Sequence, residues 1–217
     1  MKIANSFNFP PAPSERPYTF INMVATIDGK TVIGTRNDSV KGLGSTTDQL
    51  LLRRLENAAD AILIGAGNLR SVPNLWYPKE KLRIVATRSG NLNYNQRFFT
   101  DAPEKAFVLG ADSVQVPPPH HKITNDFKQA FKILRTEYGV EHLLIEGGSE
   151  LNGQILPLNL VDELFLTIAA KVKLGDNLPT YAGGAPLPAD DLQLYQLLEH
   201  HAVGDELFLR YRRRKED

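Results

Sequence analysis

Hydrophobic positions along the chain follow two rhythms: short unbroken runs, and longer stretches with apolar residues three and four apart. Tyr18 to Thr26, Ala61 to Ile64, Leu82 to Thr87, Ala106 to Leu109 and His142 to Glu146 are runs of the first kind. Largely apolar on both faces, they suit strands of a sheet covered by helices on each side. Helical spacing follows Ser45-Thr46-Thr47-Asp48, a group of N-cap candidates, with Leu50, Leu51, Leu52 and Leu55 supplying the apolar positions through about Ala58. It recurs from Asp126 to Tyr138, through Phe127, Ala130, Phe131, Leu134 and Tyr138, with Gly139 placed to stop it. Leu151 to Leu156 predicts a shorter helix, and Val114 to Lys122, with three consecutive prolines, predicts a loop. Alternating strands and helices imply an α/β fold with a mainly parallel sheet. The last part differs. Leu164 to Ala170, Leu194 to His200 and Glu206 to Arg212 are strand-like, and Val203-Gly204-Asp205 turns the last two into an antiparallel pair. Residues 1 to 17 hold four prolines and little periodicity, so they predict an extended arm or a loose tail ahead of a single domain spanning 18 to 217.

Composition narrows the function classes. A chain of 217 residues with 42% hydrophobic content buries one substantial core or two small ones. Lys plus Arg (25) equals Asp plus Glu (25), so no overall field draws in nucleic acid or an anionic membrane, and any anion site has to be built locally. The absence of cysteine excludes disulfides, thiolate catalysis and Cys-ligated zinc, and suits a reducing, cytoplasmic setting. The N-terminal segment lacks a signal-peptide core, and no run approaches the roughly 20 apolar residues of a membrane span. A soluble, cytoplasmic protein is therefore expected. His120-His121 and His200-His201 have no accompanying carboxylate cluster, and neighbouring strand residues face opposite ways, so no metal site is expected.

Candidate chemistry lies where the strands end, because open α/β sheets bind ligands beyond the carboxyl ends of their strands. Four strand endings are small, polar or charged: Asp28-Gly29-Lys30, Gly65-Ala66-Gly67-Asn68, Thr87-Arg88-Ser89 and Glu146-Gly147-Gly148-Ser149. Gly147-Gly148-Ser149 is either an ordinary tight turn or a phosphate cradle, since it follows a strand and opens a helix. Gly65-Ala66-Gly67 lacks the full G-x-G-x-x-G spacing, so a Rossmann fingerprint is not expected. Glu146 ends an apolar strand, where a carboxylate needs a partner: either nearby backbone amides or the ring N–H and amino groups of a ligand. Arg88, flanked by two hydroxyls, has the fork geometry for a phosphate or is a solvated surface cation. Asp28 is either a site residue or the first residue of an Asp-Gly turn.

Met23 to Lys30, Asn37-Asp38-Ser39, Asp60 to Gly67, Leu144 to Gly148 and Leu160 to Leu164, taken in order, resemble the reductase domain of riboflavin biosynthesis, a relative of dihydrofolate reductase. The likeness runs from Tyr18 to about Gly184. No deaminase segment is expected, because the chain holds neither a His-x-Glu nor a cysteine. The resemblance implies a dihydrofolate reductase-like three-layer α/β/α fold with a mixed, mainly parallel sheet, a homodimer, and hydride transfer from NADPH to a ribosylaminopyrimidine phosphate of the 5-amino-6-(5-phosphoribosylamino)uracil type. It implies cofactor contacts at Ala25, Gly65, Gly67, Asn68, Thr87, Arg88, Ser89, Gly147, Gly148, Ser149, Glu150 and Leu151, with Arg88 near the adenosine 2′-phosphate. Substrate contacts fall on Asn22, Ser39 and Glu146, with Glu146 and Asp28 as the catalytic carboxylates. Two departures stand out. After Gly67 the family usually continues with Thr-Val and an Asp-Asp-Pro segment, whereas this chain has Asn68 to Pro73. Near the end of the first helix, Glu56 aligns with a substrate-binding Arg, and Arg53 and Arg54 lie about one turn earlier. These departures leave the acceptor open to another pteridine-like, pyrimidine-like or small carbonyl compound, or to a non-catalytic nucleotide-binding role.

Overall fold

The computed structural model describes residues 7–35, 38, 40, 42–72 and 74–214. Nine strands form one sheet among them: β1 (Tyr18–Thr26), β2 (Ala61–Gly65), β3 (Leu82–Ala86), β4 (Ala106–Leu109), β5 (His121–Ile123), β6 (His142–Ile145), β7 (Glu163–Ala169), β8 (Tyr195–Val203) and β9 (Glu206–Arg213). Their order is β5-β4-β3-β2-β6-β1-β7-β9-β8. Every neighbouring pair from β5 across to β7 is parallel, and the β7–β9 and β9–β8 pairs are antiparallel. β8 and β9 meet at Val203 and Glu206 across Gly204, whose positive φ of 59° is the backbone this two-residue turn requires.

Helices α1 (Thr46–Ala58), α2 (Ala66–Ser71) and α3 (Arg97–Thr100) cover one face, and α4 (Phe127–Thr136) and α5 (Ser149–Ile155) cover the other. Alternation along the strands sends Phe20, Ile62 and Leu144 into the α1 core and Ile21, Leu63 and Ile145 into the α4/α5 core. Ser45 caps α1 by accepting from the Thr47 and Asp48 amides, and Asp126 caps α4 by accepting from the Gln129 amide. Two expectations are corrected. The segment read as a loop to Lys122 enters strand β5 at His121, whose pairing with Phe107 extends the sheet by one edge strand. The helix placed at Leu151 starts two residues earlier at Ser149, directly on the glycine pair.

Residues ahead of β1 lie across the α1 face. Phe9 stacks on Phe20 at 4.3 Å between ring centroids, Phe7 meets Phe165 edge-on at 5.3 Å, and Arg16 forks onto Asp162 at 2.6 and 2.8 Å. No helix among the described residues is long and apolar enough to cross a membrane.

Candidate active site

The carboxyl ends of β2, β6 and β1, side by side in the sheet, create the candidate site. β6 runs into Glu146-Gly147-Gly148, and the Gly147 carbonyl accepts from the Gly65 amide at 2.7 Å, binding the β2 and β6 endings together. Close approach explains the glycines. A Cβ on Gly147, whose φ is 70°, would stand 2.7 Å from Met23 Sδ, and one on Gly148 would stand 3.1 Å from Asn68 Oδ1. The Gly147-Gly148 peptide is cis. Asn68, at the second turn position after Ala66, donates to the Glu146 carbonyl at 3.0 Å. It locks α2 against the glycine turn.

This arrangement leaves a backbone cradle. No side chain among the described residues caps α5, and a Cβ at Gly67 would meet nothing within 4 Å. Space in front of Gly67 and uncapped amides at Gly148 and Ser149 fit the phosphates of a dinucleotide. Leu151 faces the core, so only its backbone borders this space. Arg88 projects into solvent with its side chain 85% exposed and meets Glu150 at 3.3 Å. Thr87 and Ser89 accept from the Gly90 and Asn91 amides, which shapes the turn carrying Arg88. Ala25 is buried at the end of β1.

A polar group gathers on the α1 side of the same edge. Asn22 follows Phe20 and Glu146 follows Leu144 on that face, and the β1–β6 register continues to set the two level. Asn22 Oδ1 and Glu146 Oε1 are buried without a donor among the described residues. Tyr77, fully enclosed, donates to Glu146 Oε2 at 2.5 Å. From α1 the Glu56 carboxyl reaches Glu146, while Arg53 bonds Glu56 at 2.6 and 2.8 Å and lies over the Trp76 ring. Burial, then the nearby Glu56 charge, push the Glu146 carboxyl up to about 8, with the Tyr77 bond acting the other way. Burial likewise raises Glu56, against the pull of Arg53.

Sequence reasoning placed Asn22 and Glu146 at the strand ends and named Glu56 and Arg53, but missed Tyr77. The signal available for Tyr77 was weak: an aromatic pair, Trp76-Tyr77, ahead of Pro78. Nor was the span from Lys171 to Gly183 foreseen as a wall. Ile27 donates to the Lys171 carbonyl, Thr31 to that of Pro179, and Gly183 to that of Ser149, so this span runs along the edge from the β1 loop to α5. Asp28 belongs to that wall. Its carboxylate accepts from the Lys173 and Leu174 amides at 3.0 and 2.7 Å, Gly29 closes the turn onto Thr26, and the Thr26 bond and those amides hold Asp28 down to about 2. These bonds give it a turn-and-loop role and favour its ionised form. Ser39 lies outside the described residues.

Residues 17–209 match the family model of the RibD C-terminal domain. The chain belongs to that family. Among its relatives, 2,5-diamino-6-ribosylamino-4(3H)-pyrimidinone 5′-phosphate reductase of Methanothermobacter thermautotrophicus is 26% identical, over 90% of this chain and 98% of that protein. RibD of Acinetobacter baumannii superposes with a TM-score of 0.78 at 17% identity, over 93% of this chain, which spans 59% of that longer one. Dihydrofolate reductase of Enterococcus faecalis superposes with a TM-score of 0.56 at 14% identity, over 91% of this chain and 97% of its own. The three-layer, dihydrofolate reductase-like architecture is thus shared by this RibD C-terminal domain. Where the family resemblance places an Arg, Glu56 stands, and Arg53 turns to Glu56.

Proposed function

We propose that this protein is a cytoplasmic, homodimeric, NADPH-dependent reductase of a ribosylaminopyrimidine 5′-phosphate, converting the opened sugar to a ribityl chain. The relative's name specifies the 2,5-diamino-pyrimidinone form, and the resemblance drawn from the sequence specifies the uracil form; both rings belong to this reading. The observation that carries it is the pair of buried oxygens lacking donors, Asn22 Oδ1 and Glu146 Oε1, set beside the glycine cradle. Buried polar atoms in this state await a ligand's hydrogen bonds.

When bound, NADPH supplies the hydride that reduces the sugar carbonyl. The Gly148 and Ser149 amides would hold its phosphates, Gly67 leaves open space beside them, Gly65 and Asn68 fix the glycine turn, and Arg88 would take the 2′-phosphate. Asn22 and Glu146 orient the acceptor ring through fixed hydrogen bonds. Tyr77 and α1 close that side against water. For the dimer, the exposed Leu194 and Leu197 on and beside the edge strand β8 supply an apolar surface for a two-fold contact.

The deciding experiment supplies NADPH and either ring form to the purified protein and follows oxidation of the cofactor together with formation of the ribityl product. Turnover of one or both rings is expected. Tight cofactor binding with neither ring reduced defeats the reading. Light scattering at micromolar concentration is expected to give twice the chain mass, and a monomer removes the dimer.

A further inference from the structure

A cleft of about 310 Å³ opens at the end of the sheet away from the candidate active site. One side is the start of β1 together with Asp162, just ahead of β7, and the end of β9; the other is the arm ahead of β1. Tyr18, in this cleft, opens β1, and Asn22 lies four residues further along the strand, roughly 13 Å away at the rise of a β-strand. The two sites are therefore separate. A cleft of this size admits a small ligand.

Its charge is one-sided. Arg16, Arg212 and Arg213 bring three guanidiniums to the wall, and Asp162 brings a single carboxylate. Arg16 forks onto Asp162, and Arg212 gives Nε and Nη2 to Glu163, which it shares with Arg210. Arg213 has no carboxylate partner among the described residues. Its Nε donates to the Val161 carbonyl at 3.1 Å, which leaves both of its Nη groups. With Arg210 and its second partner Glu199 included, four guanidiniums meet three carboxylates. One positive charge is left over beside a cavity, in a chain whose formal charges balance. The other walls are Pro10, Pro11, Pro13 and the ring of Tyr18, whose hydroxyl is given to Glu163. Proline has no N–H, so these walls offer flat apolar surface and no backbone donor.

We propose that this cleft binds a phosphate monoester, with the phosphate on the Nη groups of Arg213 beside Arg212 and a flat body against the prolines and Tyr18. A half-buried guanidinium with uncommitted N–H groups suits a tetrahedral dianion. The free ion would fill only part of the cleft and leave the proline wall against water, so the esterified form is the better fit. Because the arm forms one wall and β9 the other, the bound monoester fastens the arm to the sheet and stabilises the fold by mass action. None of this depends on the reaction at the other end of the sheet.

Phenyl phosphate is the probe, titrated calorimetrically into the full chain with and without excess NADPH. Binding that NADPH leaves unchanged is expected. Arg213→Gln should weaken it about tenfold or more, and Arg213→Lys, which keeps the charge without the fork, should fall between. Hydrogen exchange at Ala12, Ser14, Glu15 and Arg16 should slow on binding. Inorganic phosphate should bind more weakly, and equal affinities would make the free ion the ligand and overturn the monoester. No binding, binding abolished by NADPH, or binding that Arg213→Gln leaves intact overturns the proposal. Should Arg213→Gln fail to fold, Arg213→Lys and the exchange pattern decide: full affinity in Arg213→Lys with no slowing in the arm overturns it. Lys215, Glu216 and Asp217 lie outside the described residues, so a chain ending at Arg214 is titrated as well. Binding seen only with that shortened chain overturns the proposal, because the acidic tail then holds the cleft.

Discussion

Two buried carboxyl groups flank β1 on the same face of the sheet, and their surroundings differ in kind. Glu163, level with Phe20, is completely enclosed. It accepts from Tyr18 at 2.8 Å, from Arg210 at 2.8 Å and from Arg212 at 2.9 and 3.0 Å, and the Arg210 guanidinium lies over the Phe165, Phe7 and Phe9 rings. Glu146, level with Asn22, has one phenol, one carboxyl neighbour and an oxygen with no donor among the described residues. The first group is saturated and surrounded by cations. The second is left incomplete at an open edge, as expected where a ligand finishes the hydrogen bonding.

The sharpest way to break the comparison is to remove the saturated member. Glu163→Ala leaves the Arg212 guanidinium and the Tyr18 phenol without this acceptor and Arg210 with Glu199 alone, and a loss of about 3–5 kcal/mol in urea unfolding is expected. A change below about 1 kcal/mol would place Glu163 among ordinary surface pairs. The incomplete member should respond in activity instead. Glu146→Gln keeps the shape but replaces an oxygen with an amide donor, and kcat/KM for the acceptor should fall roughly ten- to a hundredfold while NADPH affinity changes little. An unstable but fully active variant would make Glu146 a structural residue like Glu163.

Stability against pH separates the two carboxyls further. Folded Glu146 holds its proton up to about 8, whereas the unfolded chain releases it near the ordinary value of 4.5, so its contribution is fully present below that value and is lost as pH rises through about 8. Thermal unfolding across this window should show a downward slope that flattens in Glu146→Gln. At the exposed rim effects should be smaller. Arg88→Ala should reduce the preference for NADPH over NADH by about 1 kcal/mol, roughly fivefold, because the guanidinium is solvated and meets Glu150. Equal affinities in the wild type would remove the 2′-phosphate assignment. Smallest of all, Asp28→Asn should speed hydrogen exchange at the Lys173 and Leu174 amides and leave kcat nearly unchanged.

Most strands were legible because runs such as Ala61 to Ile64 and His142 to Ile145 are apolar on both faces and end at glycine or charge. β5 was hidden because only three residues pair and Ile123 alone among them is fully buried. α2 was hidden by its brevity and by Gly67 in its first turn. In the site, Glu146 was legible from its place at a strand end, and so was its need for a partner. That partner was not. Tyr77 sits in a stretch without periodicity, and Glu56 reads as a solvated helix residue until α1 is laid on the sheet beside β6. Asp28 shows the converse, since its sequence neighbourhood fitted both a site and a turn, and its bonds from the Lys173 and Leu174 amides, far off in the sequence, add a loop-holding role that no local pattern signals.

The place of β1 in the sheet has a consequence for how the chain is made. Its partners begin at His142 on one side and at Glu163 on the other. On the ribosome, at about 5–20 residues per second, the first strand waits roughly ten seconds for either neighbour to be synthesised. Until then Phe20 and Ile21 have no sheet to join, and both edges of the strand are open to foreign pairing. A nascent chain halted before residue 142 is thus a natural client for chaperones that hold extended apolar segments, and the enzyme becomes independent of them only when its final third has emerged.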